Sequence, residues 1–261
     1  MANQPLASIH PEAIIGNNVE IGPFVFIDKN VVIGDNCWIG PNVTILEGAR
    51  IGKNCKIFSG AVISGIPQDL KFHGEVTTTE IGDNCTIREC VTINRGTIDK
   101  QKTVIGNNCL LMAYVHVAHD CILGDYVILA NCVNLAGHVI IEDYAIIEGL
   151  AAVQQFVRIG AHAFITGGSR VRKNVPPFVK AAREPLSYVG INSVGLRRRG
   201  FSNDIVLQIE EIYRTLYVRG YNVSNALNIV EKEVPDSLER NQIIDFIRSS
   251  VDGIMRGASA D

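Results

Sequence analysis

Aromatic residues make up only 7% of this 261-residue chain, which has one tryptophan and three methionines. Its core must therefore be built from small and β-branched side chains such as Ala, Val and Ile. No run approaches the roughly 18 consecutive apolar residues of a membrane-spanning helix. The N-terminal stretch MANQPLASIHPEAIIG has no basic segment followed by an apolar one, so it is not a signal peptide, and the expected location is cytoplasmic. Seven cysteines are present, yet there is no Cys-x-x-Cys pair, and the closest pair, Cys85 and Cys90, has no usual zinc spacing. Strong net charge is lacking too. At −3, with 47% hydrophobic and 20% charged residues, the composition is that of a globular protein of one large or two ordinary domains.

What the chain does contain is a repeat. Stepping by six from Ile9 to Val171 passes 28 positions, and 25 of them are Ile, Leu or Val; only Asp69, Glu75 and Asp99 break the series. The residue two before each aliphatic is small, as at Ala13, Val25, Cys37 and Ala49. The residue just after it is glycine nine times, often followed by Asn or Asp. Side chains two apart share one face of a strand, whereas a step of six on a helix turns each member by about 240° and scatters them. Each hexapeptide is therefore a short strand and a corner, with Gly, Asn and Asp supplying the positive φ expected at the corners. Three sides make a triangular coil, and about nine coils stack into a parallel β-helix. In this register Cys37, Cys55, Cys85, Cys109 and Cys121 point inward as small reduced core residues.

Residues 64–80 and 94–104 are polar and interrupt the repeat, so they are expected to leave the solenoid as loops, where sites tend to be built. Beyond Val171 the repeat ends at Val175-Pro176-Pro177. The expected organisation is a β-helix over 1–175, then a linker and a small C-terminal helical domain over 176–261. Ser202 caps a predicted helix over 203–218 closed by Gly220, Ser224 caps a second, and a third begins at Asp236.

Three of the six histidines cluster: His116, His119 and His138. The 19 residues between His119 and His138 are one coil plus one, which stacks them near one corner. An imidazole is a natural general base near neutral pH, and Asp120 is placed to support His119. Surface or subunit-packing histidines, or a zinc site as in hydratases built from this repeat, are the other readings. The wider histidine spacing of those zinc sites is absent. From Arg170 to Arg199 lie eight basic residues and one acid, Glu184, giving +7 and leaving −10 for the remainder. Such a patch suits a phosphorylated or acidic partner, with ordinary solvated charge as the alternative. No recognition motif or aromatic interleaving points to nucleic acid.

Pro67-Gln68-Asp69-Leu70-Lys71, Val117-Ala118-His119-Asp120-Cys121, Leu135-Ala136-Gly137-His138-Val139, Val175-Pro176-Pro177 and Gly195-Leu196-Arg197-Arg198-Arg199-Gly200-Phe201-Ser202 occur in this order. With these motifs the chain resembles, over essentially its full length, the acyl-carrier-protein-dependent UDP-N-acetylglucosamine 3-O-acyltransferases that begin lipid A synthesis. The resemblance implies a left-handed β-helix, a homotrimer with sites between subunits, and no metal or other cofactor. It implies His119 as general base, Asp120 as its support and the Gly137 N–H as oxyanion donor. Asp69 and Lys71 would contact sugar and phosphate, with His116, His138 and Gln155 lining the site. Asn192, Arg198 and Arg199 would hold the uridine diphosphate, and Gly167 would set acyl-chain length. Gln154 stands where the family commonly has histidine, and Val194 where some members have glutamate. Sister transferases acting on other nucleotide sugars share the repeat, but the related N-acyltransferase is expected to carry an extra N-terminal domain ahead of it.

Overall fold

The computed structural model describes residues 5–257, so residues 1–4 and 258–261, at the ends of the two expected units, lie outside the described residues. The chain winds as a left-handed parallel β-helix with three sheets of nine, eight and eleven strands. Within the coils, each strand pairs with the one a full coil away, three strands on in sequence. Most strands have two residues, the inward aliphatic and its outward neighbour. Ile27 pairs with Ile45 and Ile45 with Ile63, an 18-residue step. Ile63 then pairs with Ile93, and Ile93 with Val117, steps of 30 and 24. Both excursions therefore exceed a coil by a multiple of six, which is why the aliphatic phase survives them.

The loops are shorter than expected. Strand pairing reaches Gly65 and resumes at Thr78, and reaches Asn94 and resumes at Lys102, leaving 66–77 and 95–101 as the projecting segments. Lys102, Thr103 and Val104 belong to the sheet because their backbone pairs with Thr78, Thr79 and Glu80.

The two inward columns form the core: Val25 with Ile27, Cys37 with Ile39 and Val43 with Ile45 are all buried. Cys37, Cys55, Cys85 and Cys109 stack one per coil, and each thiol donates to a glycine carbonyl of the next coil at 3.0–3.2 Å. Burial pushes the Cys121 thiol up to about 12. All five inward thiols are free and buried.

Corner geometry differs from the expectation in one respect. At most corners the left-handed residue is the third after the inward aliphatic, as at Asn18, Asn36, Asn54, Asn84 and Asn108, with φ between 54° and 60°. The glycine just after the aliphatic does not supply positive φ; it is needed for closeness. A Cβ on Gly34 would stand 2.7 Å from the Gly52 carbonyl carbon and oxygen, so stacked coils cannot approach there with a side chain between them.

Residues past 175 are not simply a linker. Val179–Ala182 continues the third sheet in parallel with Phe164–Ile165, Ser187–Ile191 folds back antiparallel to it, and Arg256–Gly257 adds a last strand. Four helices follow Ser187–Ile191: α1 (Ser193–Arg198), α2 (Asn203–Tyr217), α3 (Val223–Glu233) and α4 (Leu238–Arg248). Ser202 caps α2 as expected, accepting from the Ile205 N–H. The cap of α3 is Asn222 rather than Ser224, because Asn222 holds the extended backbone and accepts from Asn225. Ser237 caps α4, while Asp236 accepts from the Asn241 side chain. Tyr213 and Tyr217 of α2 stack on Tyr188, and the Tyr213 hydroxyl donates to the Pro177 carbonyl at 2.6 Å.

Candidate active site

The corner between the first and second sheets carries both loops and the histidine cluster. Val117, Leu135 and Val153 are register partners on successive coils, so residues at the same offset from each stack in columns. His119, Gly137 and Gln155 form one such column, and Asp120, His138 and Phe156 the next. The second column holds left-handed corners, with φ of 59°, 61° and 66°. Asp120 and His138 thus fill the position that asparagine takes on earlier coils.

His119 is 7% exposed, and its Nδ1 lies 2.9 Å from Asp120 Oδ2. Its Nε2 is 4.0 Å from Asp69 Oδ2, on the first loop. The Asp69 Oδ1 accepts the Lys71 N–H at 2.9 Å, which fixes the turn and leaves the Lys71 side chain exposed. On the coil above, the His138 ring stands edge-on to His119 with centroids 5.1 Å apart, and its Nε2 is 3.7 Å from Asp120 Oδ2. His138 Nδ1 lies 3.3 Å from Asp99 Oδ2 without hydrogen-bond geometry. Carboxylates and imidazoles therefore alternate from one loop to the other: Asp69, His119, Asp120, His138, Asp99.

Gly137 is the ceiling of His119. A Cβ there would sit 2.6 Å from His119 Cε1 and 2.7 Å from Nε2, so only glycine allows the ring its place. Among the described residues the Gly137 N–H donates no hydrogen bond.

The Asp120 side chain is fully enclosed, a costly place for a charge unless its oxygens are occupied. Oδ1 accepts the N–H groups of Thr97 and Lys100 at 2.9 and 3.2 Å, and Oδ2 accepts the Thr97 hydroxyl at 2.6 Å. Burial, the largest single influence, pushes its pKa up. The hydrogen bonds from Thr97 and His119 outweigh it, and the carboxyl stays below its ordinary value of 3.8. His116 is half-buried on its strand, with Nδ1 2.7 Å from Thr92 Oγ1, and burial lowers its pKa.

His119, Asp120 and His138 could in principle ligate a metal, since one donor atom of each lies within 4.8 Å of the others. The donor set argues against it, because every Asp120 oxygen already accepts from N–H or O–H donors. An ion-paired base fits these residues better than a ligand set.

Not every expected site residue gathers at this corner. Gln155 shares the His119 column two coils away, is exposed, and sits at roughly 10 Å by strand spacing. Asn192 and Arg199 belong to the corner between the second and third sheets. Asn192 caps α1 and donates to the His162 carbonyl at 2.9 Å. Arg199 donates to the Tyr144 carbonyl at 3.1 Å with its guanidinium 5.3 Å from the Tyr144 ring centroid. Arg198 is exposed on α1 beside them. Gly167 lies at the third corner, with its N–H on Glu148 Oε2 at 3.1 Å; the left-handed residue there is Gly168.

Thr97 and Thr103 join the site without having been singled out in the sequence, where Asp99 stood out only as a break in the repeat. The only signal was the interruption at 94–104, because Thr97 precedes Asp120 by 23 residues and no local pattern links them.

Residues 174–255 match the family described as UDP N-acetylglucosamine O-acyltransferase, domain 2, and residues 30–65 and 102–137 match the bacterial transferase hexapeptide repeat. The chain is 45% identical over 257 residues to the acyl-[acyl-carrier-protein]–UDP-N-acetylglucosamine O-acyltransferase of Janthinobacterium sp., covering 97% of this chain and 98% of that one. To the enzyme of that name in Sulfurihydrogenibium sp. it is 50% identical over 261 residues, covering 97% and 96%. The crystal structure of the UDP-N-acetylglucosamine acyltransferase of Bacteroides fragilis superposes with a TM-score of 0.96 at 57% identity, over 97% of this chain and 99% of that one. That of Francisella novicida gives 0.94 at 42% identity, over 97% and 94%. With repeat, loops and C-terminal helices all shared, the chain belongs to the family of acyl-[acyl-carrier-protein]–UDP-N-acetylglucosamine O-acyltransferases.

Proposed function

We propose that this protein transfers a 3-hydroxyacyl chain from acyl carrier protein to the 3-hydroxyl of UDP-N-acetylglucosamine, the first step of lipid A biosynthesis, with His119 as general base. One observation carries the reading: His119 is held through Nδ1 by an enclosed carboxylate, while Nε2 faces the loop that bears Asp69. A base needs that arrangement, with one nitrogen fixed and protonated and the other free to accept. Nε2 takes the hydroxyl proton as the sugar oxygen attacks the thioester carbon. The Gly137 N–H donates to the oxyanion of the tetrahedral intermediate. The C–S bond then breaks, and the imidazolium returns its proton to the thiolate of the carrier. Asp120 balances the imidazolium charge in between.

Asp69 and Lys71 bind sugar and phosphate, with His116, His138 and Gln155 lining the pocket and Gly167 bounding the acyl groove. Asn192, Arg198 and Arg199 bind the uridine diphosphate. They stand at a different corner from His119, so a neighbouring copy in a homotrimer supplies them to each site. In this reading residues 1–175 are the scaffold of the reaction and 176–261 the nucleotide-binding end. A cytoplasmic location accords with the five free buried thiols, since reducing compartments keep cysteines unpaired. No helix among the described residues is long and apolar enough to cross a membrane. The test is to incubate the protein with 3-hydroxyacyl carrier protein and UDP-N-acetylglucosamine or its 3-amino analogue. Ester formed from the first and slower turnover of the second is the expected result; exclusive use of the amine would overturn the assignment of the acceptor.

A further inference from the structure

We propose that Thr97 is a positioning residue of this reaction, setting both the place and the basicity of Asp120 and through it the state of His119. The inference rests on the reading of His119 as the base. Thr97 is 7% exposed and gives Asp120 two donors, its N–H to Oδ1 at 2.9 Å and its hydroxyl to Oδ2 at 2.6 Å. The direction of that hydroxyl is set, because its oxygen also accepts the Asp99 N–H at 3.3 Å. Asp120 is tied from behind as well, its own N–H donating to Thr103 Oγ1 at 2.9 Å.

The decisive feature is that the Thr97 hydroxyl and His119 Nδ1 share one oxygen, Oδ2. The hydroxyl draws electron density from the oxygen that faces the imidazole, so it moderates how strongly Asp120 favours the imidazolium. It also keeps Oδ2 turned toward His119 instead of letting the carboxylate rotate. The loop can deliver this group because of Gly96, where a Cβ would stand 2.2 Å from the Lys102 N, so no larger residue permits the approach. The other titratable groups facing the pair are Asp69 from the first loop, Asp99 from the second and His138 from the coil above.

The experiment compares Thr97→Val, Thr97→Ser and His119→Ala in the full-length protein, measuring kcat, KM for both substrates and the pH profile of kcat/KM, with thermal melting as the fold control. Without the hydroxyl, Asp120 holds the imidazolium more tightly, so neutral His119 is reached only at higher pH. Thr97→Val should therefore move the acid limb of kcat/KM upward by about one pH unit and lower kcat about tenfold, as for loss of one hydrogen bond to a charged group. KM values should stay near wild type, and Thr97→Ser should restore both readouts. If Thr97→Val does not fold, Thr97→Ala carries the same expectation. An unmoved pH limb, or a serine variant as impaired as the valine one, overturns the role of Thr97. Near-normal turnover by His119→Ala overturns the underlying base assignment instead, so the two failures are distinct.

Discussion

Replacing Gly137 with alanine puts a methyl group in place of one hydrogen at a confined point of the site. The new Cβ would stand 2.6 Å from His119 Cε1, where ordinary contact begins at 3.4 Å, so the ring must retreat by about 0.8 Å. The added methyl is held by the backbone of a stacked coil, and the imidazole is the softer partner. Its bond to Asp120 starts at 2.9 Å and has little room to lengthen before it fails as a hydrogen bond. A displacement near 1 Å at a reacting group can cost about a hundredfold in rate. We therefore expect Gly137→Ala to lower kcat roughly fiftyfold to several hundredfold, with KM for the nucleotide sugar little changed. Overpacking at one buried contact costs about 1–3 kcal/mol, so the melting temperature should fall by only a few degrees. Steady-state kinetics with 3-hydroxyacyl carrier protein and the ring signals of His119 by NMR report the two halves of the argument. Turnover within about twofold of wild type, with the His119 ring unmoved, would show that the coil yields instead, and the reasoning would fail.

Other perturbations separate the remaining roles. Arg198→Ala and Arg199→Ala should raise KM for UDP-N-acetylglucosamine with kcat nearly intact, as for loss of uniform binding; unchanged KM in both would assign the basic patch to the carrier protein alone. Gly167→Met should shift chain-length preference to shorter acyl groups in a panel of graded 3-hydroxyacyl carrier proteins, because each excluded CH₂ forfeits about 0.8 kcal/mol; an unchanged preference removes Gly167 as the ruler. His162 stacks between Tyr144 and Phe178, and burial, followed by the charge of Arg199, pushes it down to about 4 from 6.5. The unfolded chain therefore protonates first as pH falls, and this residue's contribution to stability is lost between about 6.5 and 4. His162→Phe keeps the stack and cannot titrate, so its melting temperature should drop less between pH 7 and pH 5 than that of wild type; an equal drop would assign the acid sensitivity elsewhere.

The fold was legible from Ile9 onward because a solenoid repeats one local solution, and every sixth residue reports the same inward environment. Even the loops could be placed, since each excursion adds a multiple of six and returns the chain in phase. His119, Asp120 and His138 were legible for the same reason: one coil separates stacked corners, so sequence spacing translates directly into distance. The role of the glycines that follow the aliphatic column was not, because closeness between coils is a property of two strands and leaves no mark on one. The tertiary structure alone brought Thr97 and Asp99 to the site, since a projecting loop has no period and its contacts depend on where the chain re-enters the sheet. It alone assigned Asn192 and Arg199 to a different corner from His119. Repetition along one axis lets sequence determine height in the solenoid; only the packing of loops and terminal helices decides what meets around it.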